Sequence, residues 1–398
     1  MEYIPEIKQE KKIIIALCVL VGYRTITYFI NIIFNYLIYG FIWDTLIINL
    51  IVILVLLRSL SVISKRISYD MIFLFIFLSI LYLWSFLINN NSDIFISVGI
   101  NLFIKSFPMY ILVRSIKDYT LLHKYLKVTS ILVTIVAILT YILYIFVKNF
   151  DLQYMVFSYD FLPALLYLIY LYSKEKKISI LIIIIMSIMV VFLGGARGPL
   201  FCILGYILIY FISNYKKKYK QGLLIVASLI FSAGIYINNE TAILINTNNI
   251  LNQLGINSRT IDLLLLNKFS DLSGRDSIYN NAIHSINNSL FGYGLGGDRI
   301  ILEGYVHNIV LELVLHYGII FGVIFILTLL VLLLITIFGK DNAIKDLIII
   351  FIPIGVIKLF ATGSYLQEPY FFVMLGLIVS YVFYKTNSNI KCDTKKIK

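Results

Sequence analysis

Apolar runs of about one bilayer thickness alternate along this chain with short charged segments. A helix needs roughly 20 predominantly apolar residues to cross a hydrocarbon core. On that measure the pattern predicts twelve spans, at 13–37, 45–63, 71–88, 94–113, 128–147, 159–173, 178–193, 199–213, 223–237, 317–338, 347–360 and 370–384. One long polar stretch, 238–306, interrupts them between the ninth and tenth. Within it Ser273 and Asp276 form an S-x-x-D helix start. Ile278, Ala282 and Ile286, with Tyr279, Ile283 and Leu290, then repeat at helical spacing and predict one apolar face. The expected fold is all-α, a polytopic membrane helical bundle of about twelve transmembrane helices. It forms a single integral membrane domain over 1–398 with one large, partly helical extracytoplasmic loop.

Composition agrees. The chain is 60% hydrophobic with a mean hydropathy of +0.93, more apolar surface than a soluble domain can cover. A net charge of +12 would point to nucleic acid in a soluble protein. Here the cations sit between spans, so nucleic acid is not expected. Lys65 and Arg66, Arg114 and Lys117, Lys174 to Lys177, Lys216 to Lys220, Lys340 and Lys345 all fall on one side, with the tail. The short loops of the other side carry Lys148 and Arg197. This asymmetry places both termini in the cytoplasm and 238–306 outside. The apolar run after the charged N-terminus is too long for a cleavable signal. Cys18, Cys202 and Cys392 show no disulfide or metal spacing.

The candidate chemistry gathers on the outer side. Arg197 lies in the small-residue turn Gly194-Gly195-Ala196-Arg197-Gly198, where the guanidinium is accessible and its fork suits a diphosphate. Arg275, after Gly274, falls in the first helical turn, where a cation costs about 0.3–1 kcal/mol against the helix dipole. A bound anion would offset that cost. His307, followed by Asn308, begins the segment leading into the tenth span, and a neutral imidazole there is a candidate general base. Gly292, Gly294 and Gly297 match G-x-G-x-x-G, but no strand precedes them. The dinucleotide reading is rejected in favour of a tightly turned or flexible connection, with backbone amides open to an anion. Arg24, Lys105 and Lys358 fall inside spans, so they should face a polar cavity or an anion. Asp160 is a candidate partner for Arg24, and Lys358 is expected to snorkel. His123 is expected in a solvated inner loop, His284 as a structural residue, and His316 paired with Glu312 one turn away. The carboxylates show no metal spacing and no D-x-D motif, which argues against a metal-held nucleotide-sugar donor.

These motifs, in this order, resemble the O-antigen ligase/polymerase superfamily. The resemblance rests on Gly195-Ala196-Arg197-Gly198, Ser273-Gly274-Arg275, the run Gly292 to Gly297, and His307-Asn308 before a hydrophobic helix. It covers roughly the second half of the chain. It implies a cofactor-free, metal-independent, inverting transfer from a saccharide on undecaprenyl pyrophosphate, in a bacterial cytoplasmic membrane. Arg197 and Arg275, helped by Arg24, Lys105 and Asn308, would bind substrate, and His307 would activate the acceptor hydroxyl. Ala196 stands where the family often has Ser. Within the superfamily a Wzy-type capsular or O-antigen polysaccharide polymerase fits better than a ligase, with lipid-linked oligosaccharides, membrane lipid and a chain-length regulator as partners. The competing class is a lipid-linked oligosaccharide flippase, which would use Arg24 and Lys105 but needs no outer loop bearing Arg, Gly and His.

Overall fold

A computed structural model describes residues 3–37, 43–88, 91–147, 152–194, 197–214, 245–246, 248–249 and 275–396. The ninth predicted span, most of the predicted loop up to residue 274, and with it Gly274, lie outside the described residues. All regular structure among the described residues is helical. The helices are α1 (Tyr3–Leu37), α2 (Trp43–Ile63), α3 (Tyr69–Ile88), α4 (Ser92–Gly99), α5 (Phe107–Arg114), α6 (Tyr119–Phe146), α7 (Tyr154–Glu175), α8 (Ile178–Leu193) and α9 (Arg197–Ser213). After the undescribed stretch come α10 (Arg275–Asn288), α11 (Gly297–Ile301), α12 (Ile309–Ile337), α13 (Ala343–Ile352) and α14 (Pro369–Lys396).

Six segments are long and apolar enough to cross a membrane: Glu6–Phe34, Tyr69–Ile88, Ser92–Arg114, Tyr119–Phe146, Tyr154–Glu175 and Ile309–Ile337. Shorter apolar helices cover Ile47–Ile63, Ile178–Leu193, Arg197–Ser213 and Pro369–Phe383. In the apolar windows of α3 and α12 only 17% of residues are buried. Helices apolar on every face and covered on few require an apolar solvent, so this is a membrane protein.

Two helical segments widen to π geometry, Ile100–Ser106 between α4 and α5, and Pro353–Ile357 after α13. Pro108 follows the first and Pro353 opens the second. Proline has no N–H to donate and clashes with the preceding turn, so the helix loosens there instead of breaking. Asn side chains fix three helix starts: Asn91 caps α4, Asn308 caps α12 and Asn342 caps α13.

The chain forms two compact units. The first holds Met1–Leu17, Val55–His123 and Ser273–Lys398; the second holds Cys18–Leu54 and Lys124–Leu272. The core of the first is built by α5, α13 and α14, where Leu347, Ile348, Ile350, Val373 and Met374 are fully buried. The core of the second lies along α7, α8 and α9, around Leu162, Leu165, Leu166 and Cys202. In that unit Arg24 donates to Asp160 at 3.3 Å and to the Tyr23 hydroxyl at 3.0 Å, so its charge is paired.

At one end of the first unit, charges pair closely. Arg66 meets Glu10 at 2.5 Å and donates to the Ser115 carbonyl, and the Lys117 and Asp118 amides donate to Glu10. Arg114 grips both oxygens of Asp70 at 2.8 Å. One expectation is corrected here: His123 is half-buried on α6 and bonds to the Ala343 carbonyl at 3.0 Å, because α6 begins before it and turns it inward. Lys358 pairs with Glu368, an anionic partner that the turn before α14 brings within reach.

Candidate functional site

The site is assembled in the first unit from α10, the run 289–308 and the start of α12. Gly318 organises it. Its φ of 77° breaks α12 after the first turns, and the break releases the Leu315 and His316 carbonyls from the helix ladder. The Tyr293 amide takes the first at 2.7 Å and the Gly294 amide the second at 3.0 Å. Only glycine allows this approach: a Cβ on Gly318 would lie 2.1 Å from the Leu290 carbonyl oxygen, and one on Gly292 would lie 2.3 Å from the Gly318 nitrogen.

The glycine run is therefore a tight turn docked on α12. Its other amides also have protein acceptors. Leu295 donates to Ser85 of α3 at 2.6 Å, Gly296 to His316 at 3.3 Å, and Gly297 to the Gly294 carbonyl at 3.1 Å. None of these five amides is left to cradle an anion.

Arg275 is the first residue of α10, as the S-x-x-D pattern predicted. The helix buries Ala282, with Tyr279 and Ile286 packed beside it against Val306, Leu315 and Leu311. The predicted face is narrower than expected. Ile283 is 50% exposed and Leu290 62% exposed, because the docked turn covers only one edge of the helix. This packing holds the start of α10 near the 361–368 segment, where Nη1 of Arg275 donates to the Ala361 carbonyl. Among the described residues no carboxylate pairs with Arg275.

His307 adopts a left-handed φ of 57°, and Glu303 in the same loop one of 55°. Such conformations cost of order 1–3 kcal/mol each and persist where surrounding structure imposes them. Two features impose them here. Val306 is fully buried in the α10–α12 core, and Asn308 accepts from the Val310 and Leu311 amides at 3.0 and 3.3 Å. His307 is pinned between these anchors, with its ring 4.1 Å from that of Tyr305. Its Nδ1 is buried without a hydrogen-bond partner. Burial, and then the charge of nearby Arg275, hold the imidazole below its ordinary value of 6.5. Both effects favour the neutral imidazole.

Behind the loop lies a buried polar cluster that the sequence reading did not assemble. His316 bonds to Asp298 at 2.8 Å and to the Tyr365 hydroxyl at 3.0 Å. Glu312 accepts from the Ser364 hydroxyl and from the Tyr365 amide at 3.2 Å. The expected His316–Glu312 pair is thus corrected, since each turns to partners off the helix. The spacing of Glu312 and His316 was the available signal; Asp298 reaches them only through the glycine turn.

Arg197, half-buried, opens α9 in the second unit, where a Cβ on Gly198 would meet the Tyr159 hydroxyl at 1.8 Å and displace it. Lys105 is exposed on the π segment of the first unit and lines an open groove with Asp93, Ser97 and Asn101. His284 is exposed on α10. The structure thus brings Arg275, His307 and Asn308 together with the glycine turn.

No family model, curated protein or solved structure matches this chain.

Proposed function

We propose that this chain is a polysaccharide polymerase of the bacterial cytoplasmic membrane. In this reading it transfers a growing glycan from undecaprenyl pyrophosphate to a lipid-linked repeat unit on the outer face. About twelve spans would place both termini inside and the loop outside. Arg275 holds the diphosphate. His307 takes the proton of the acceptor hydroxyl as that oxygen attacks the anomeric carbon. The bond from that carbon to the phosphate oxygen breaks, undecaprenyl pyrophosphate leaves with the electron pair, and the configuration inverts. No metal takes part at the reacting atoms.

One observation carries this reading: a guanidinium that no carboxylate pairs among the described residues lies within electrostatic range of a strained, half-buried imidazole whose neutral form is favoured. A fork-shaped cation suits a diphosphate, and a neutral base within its field suits proton abstraction from a sugar hydroxyl. A pair evolved only for stability would be expected to carry its own counter-charge.

The test is His307→Ala in the native cell. A polymerase loses long surface glycan and accumulates single lipid-linked repeats on the outer leaflet. Repeats trapped on the inner leaflet would instead identify a flippase and overturn the reading. A normal glycan profile from a folded variant would remove His307 from the chemistry.

A further inference from the structure

The Asp298, Glu312 and His316 cluster has no part in the transfer just described, and its chemistry is unusual for a structural network. The three side chains are 1%, 1% and 2% exposed. One ligand-capable atom from each lies within 4.8 Å of the others. One of the two carboxylates, Asp298, bonds to the imidazole, and its Oδ2 is buried with no hydrogen-bond partner among the described residues. It shares a carbon with Oδ1, which touches His316, so the orphaned oxygen sits at the edge of the same cluster. Buried charges of this kind are paired or coordinate metals.

The surroundings have the form of an outer coordination shell. A metal-bound His characteristically donates its other ring N–H to a fixed acceptor, and ligating carboxylates are themselves hydrogen-bonded. Nδ1 of His316 faces the Tyr365 hydroxyl, which also bonds to the Tyr317 hydroxyl at 3.1 Å. Glu312 is held by Ser364 and by the Tyr365 amide. Nε2 of His316 lies 2.8 Å from Asp298 Oδ1, a separation that a shared proton bridges and that two ligands of one ion also adopt.

We propose that Asp298, Glu312 and His316 bind one divalent cation. Two carboxylates and one imidazole suit a borderline first-row ion such as Mn²⁺ or Zn²⁺ over a soft, thiolate-seeking one. The ion ties α11 to α12 and draws in the Ser364–Tyr365 segment. Those elements flank the loop that carries His307 and the carbonyl that holds Arg275, so the ion fastens the frame of the site without touching substrate. The proposal is independent of what the site transfers.

The experiment uses the full-length protein in detergent, stripped with chelator and then titrated separately with Mn²⁺, Zn²⁺ and Mg²⁺. About one equivalent of Mn²⁺ or Zn²⁺ per chain should survive dialysis, and the melting temperature should climb with its concentration. Asp298→Asn and Glu312→Gln should each weaken binding by more than the roughly 10- to 100-fold that loss of an outer-shell contact costs. Pulsed EPR of the Mn²⁺-loaded wild type should show coupling to an imidazole nitrogen, a readout that stands even if the variants fail to fold. Wild-type protein that retains no stoichiometric ion, variants that fold and bind it undiminished, or a bound Mn²⁺ without nitrogen coupling would each overturn the proposal. None of these readouts involves glycan transfer, so failure here leaves the polymerase reading standing, and the reverse also holds.

Discussion

The two ends of the first unit treat charge in opposite ways. At one end Arg66 and Arg114 each meet a carboxylate, Glu10 and Asp70, and the neighbouring amides of Lys117 and Asp118 complete the Glu10 shell. At the other end, among the described residues, Arg275 donates to a carbonyl and pairs with no carboxylate, and Nδ1 of His307 has no hydrogen-bond partner. The first arrangement closes on itself and holds helices together. The second is open, and an anion with a nearby hydroxyl would complete it. A cation's local partners thus separate a structural role from a binding one better than its position in the chain does.

That contrast can be broken or sharpened by substitution, beginning with the largest expected effect. His307→Ala should lower transfer by about 10²- to 10⁴-fold, the range a positioned general base supplies. Donor binding and thermal unfolding should be little changed, and lost binding would mark His307 as structural. At the closed end, Arg66→Ala strands a carboxylate that is 6% exposed and should cost on the order of 3 kcal/mol of stability. Transfer per folded molecule should be unchanged, and a catalytic defect in the folded fraction would erase the distinction between the two ends. Arg275→Lys keeps the charge and loses the fork. It should reduce transfer about 10- to 100-fold, in line with ~1.5–3 kcal/mol for a charge-assisted contact, and full activity would count against a diphosphate clamp.

The smallest effect is on pH dependence. A base held below 6.5 stays unprotonated as the medium is acidified past that point. Transfer should therefore persist below pH 6.5 and fall only when the lowered value is crossed. Arg275→Ala removes one cause of the lowering and should move the acidic limb upward. An acidic limb at or above 6.5 in the wild type would contradict the burial and the Arg275 charge together.

Much of this was legible in the chain. Apolar runs of bilayer length gave the helical membrane character, and the S-x-x-D start placed Arg275 in the first turn of α10. The stripe Tyr279, Ala282 and Ile286 gave the buried face, though Ile283 and Leu290 fell outside it. What stayed hidden depends on the break at Gly318. Glycine is common in membrane helices, so nothing in the apolar run 309–337 marks this one as the point where the ladder opens. Without the break, the Leu315 and His316 carbonyls would be occupied and the glycine run would have nowhere to dock. Asp298 would then not reach His316. Long-range meetings of this kind follow from one backbone torsion and leave no spacing in the sequence.

Arg275 and His307 are proposed to form a transferase site for diphosphate-linked sugars. Purified protein supplied with synthetic undecaprenyl-pyrophosphate oligosaccharides, and product length followed by gel and mass spectrometry, tests it most directly. The wild type should lengthen the glycan by whole repeats and release undecaprenyl pyrophosphate, while His307→Ala still binds donor and forms no product. Failure of the active wild-type preparation to elongate any such donor, or undiminished elongation by the folded His307→Ala protein, would contradict it.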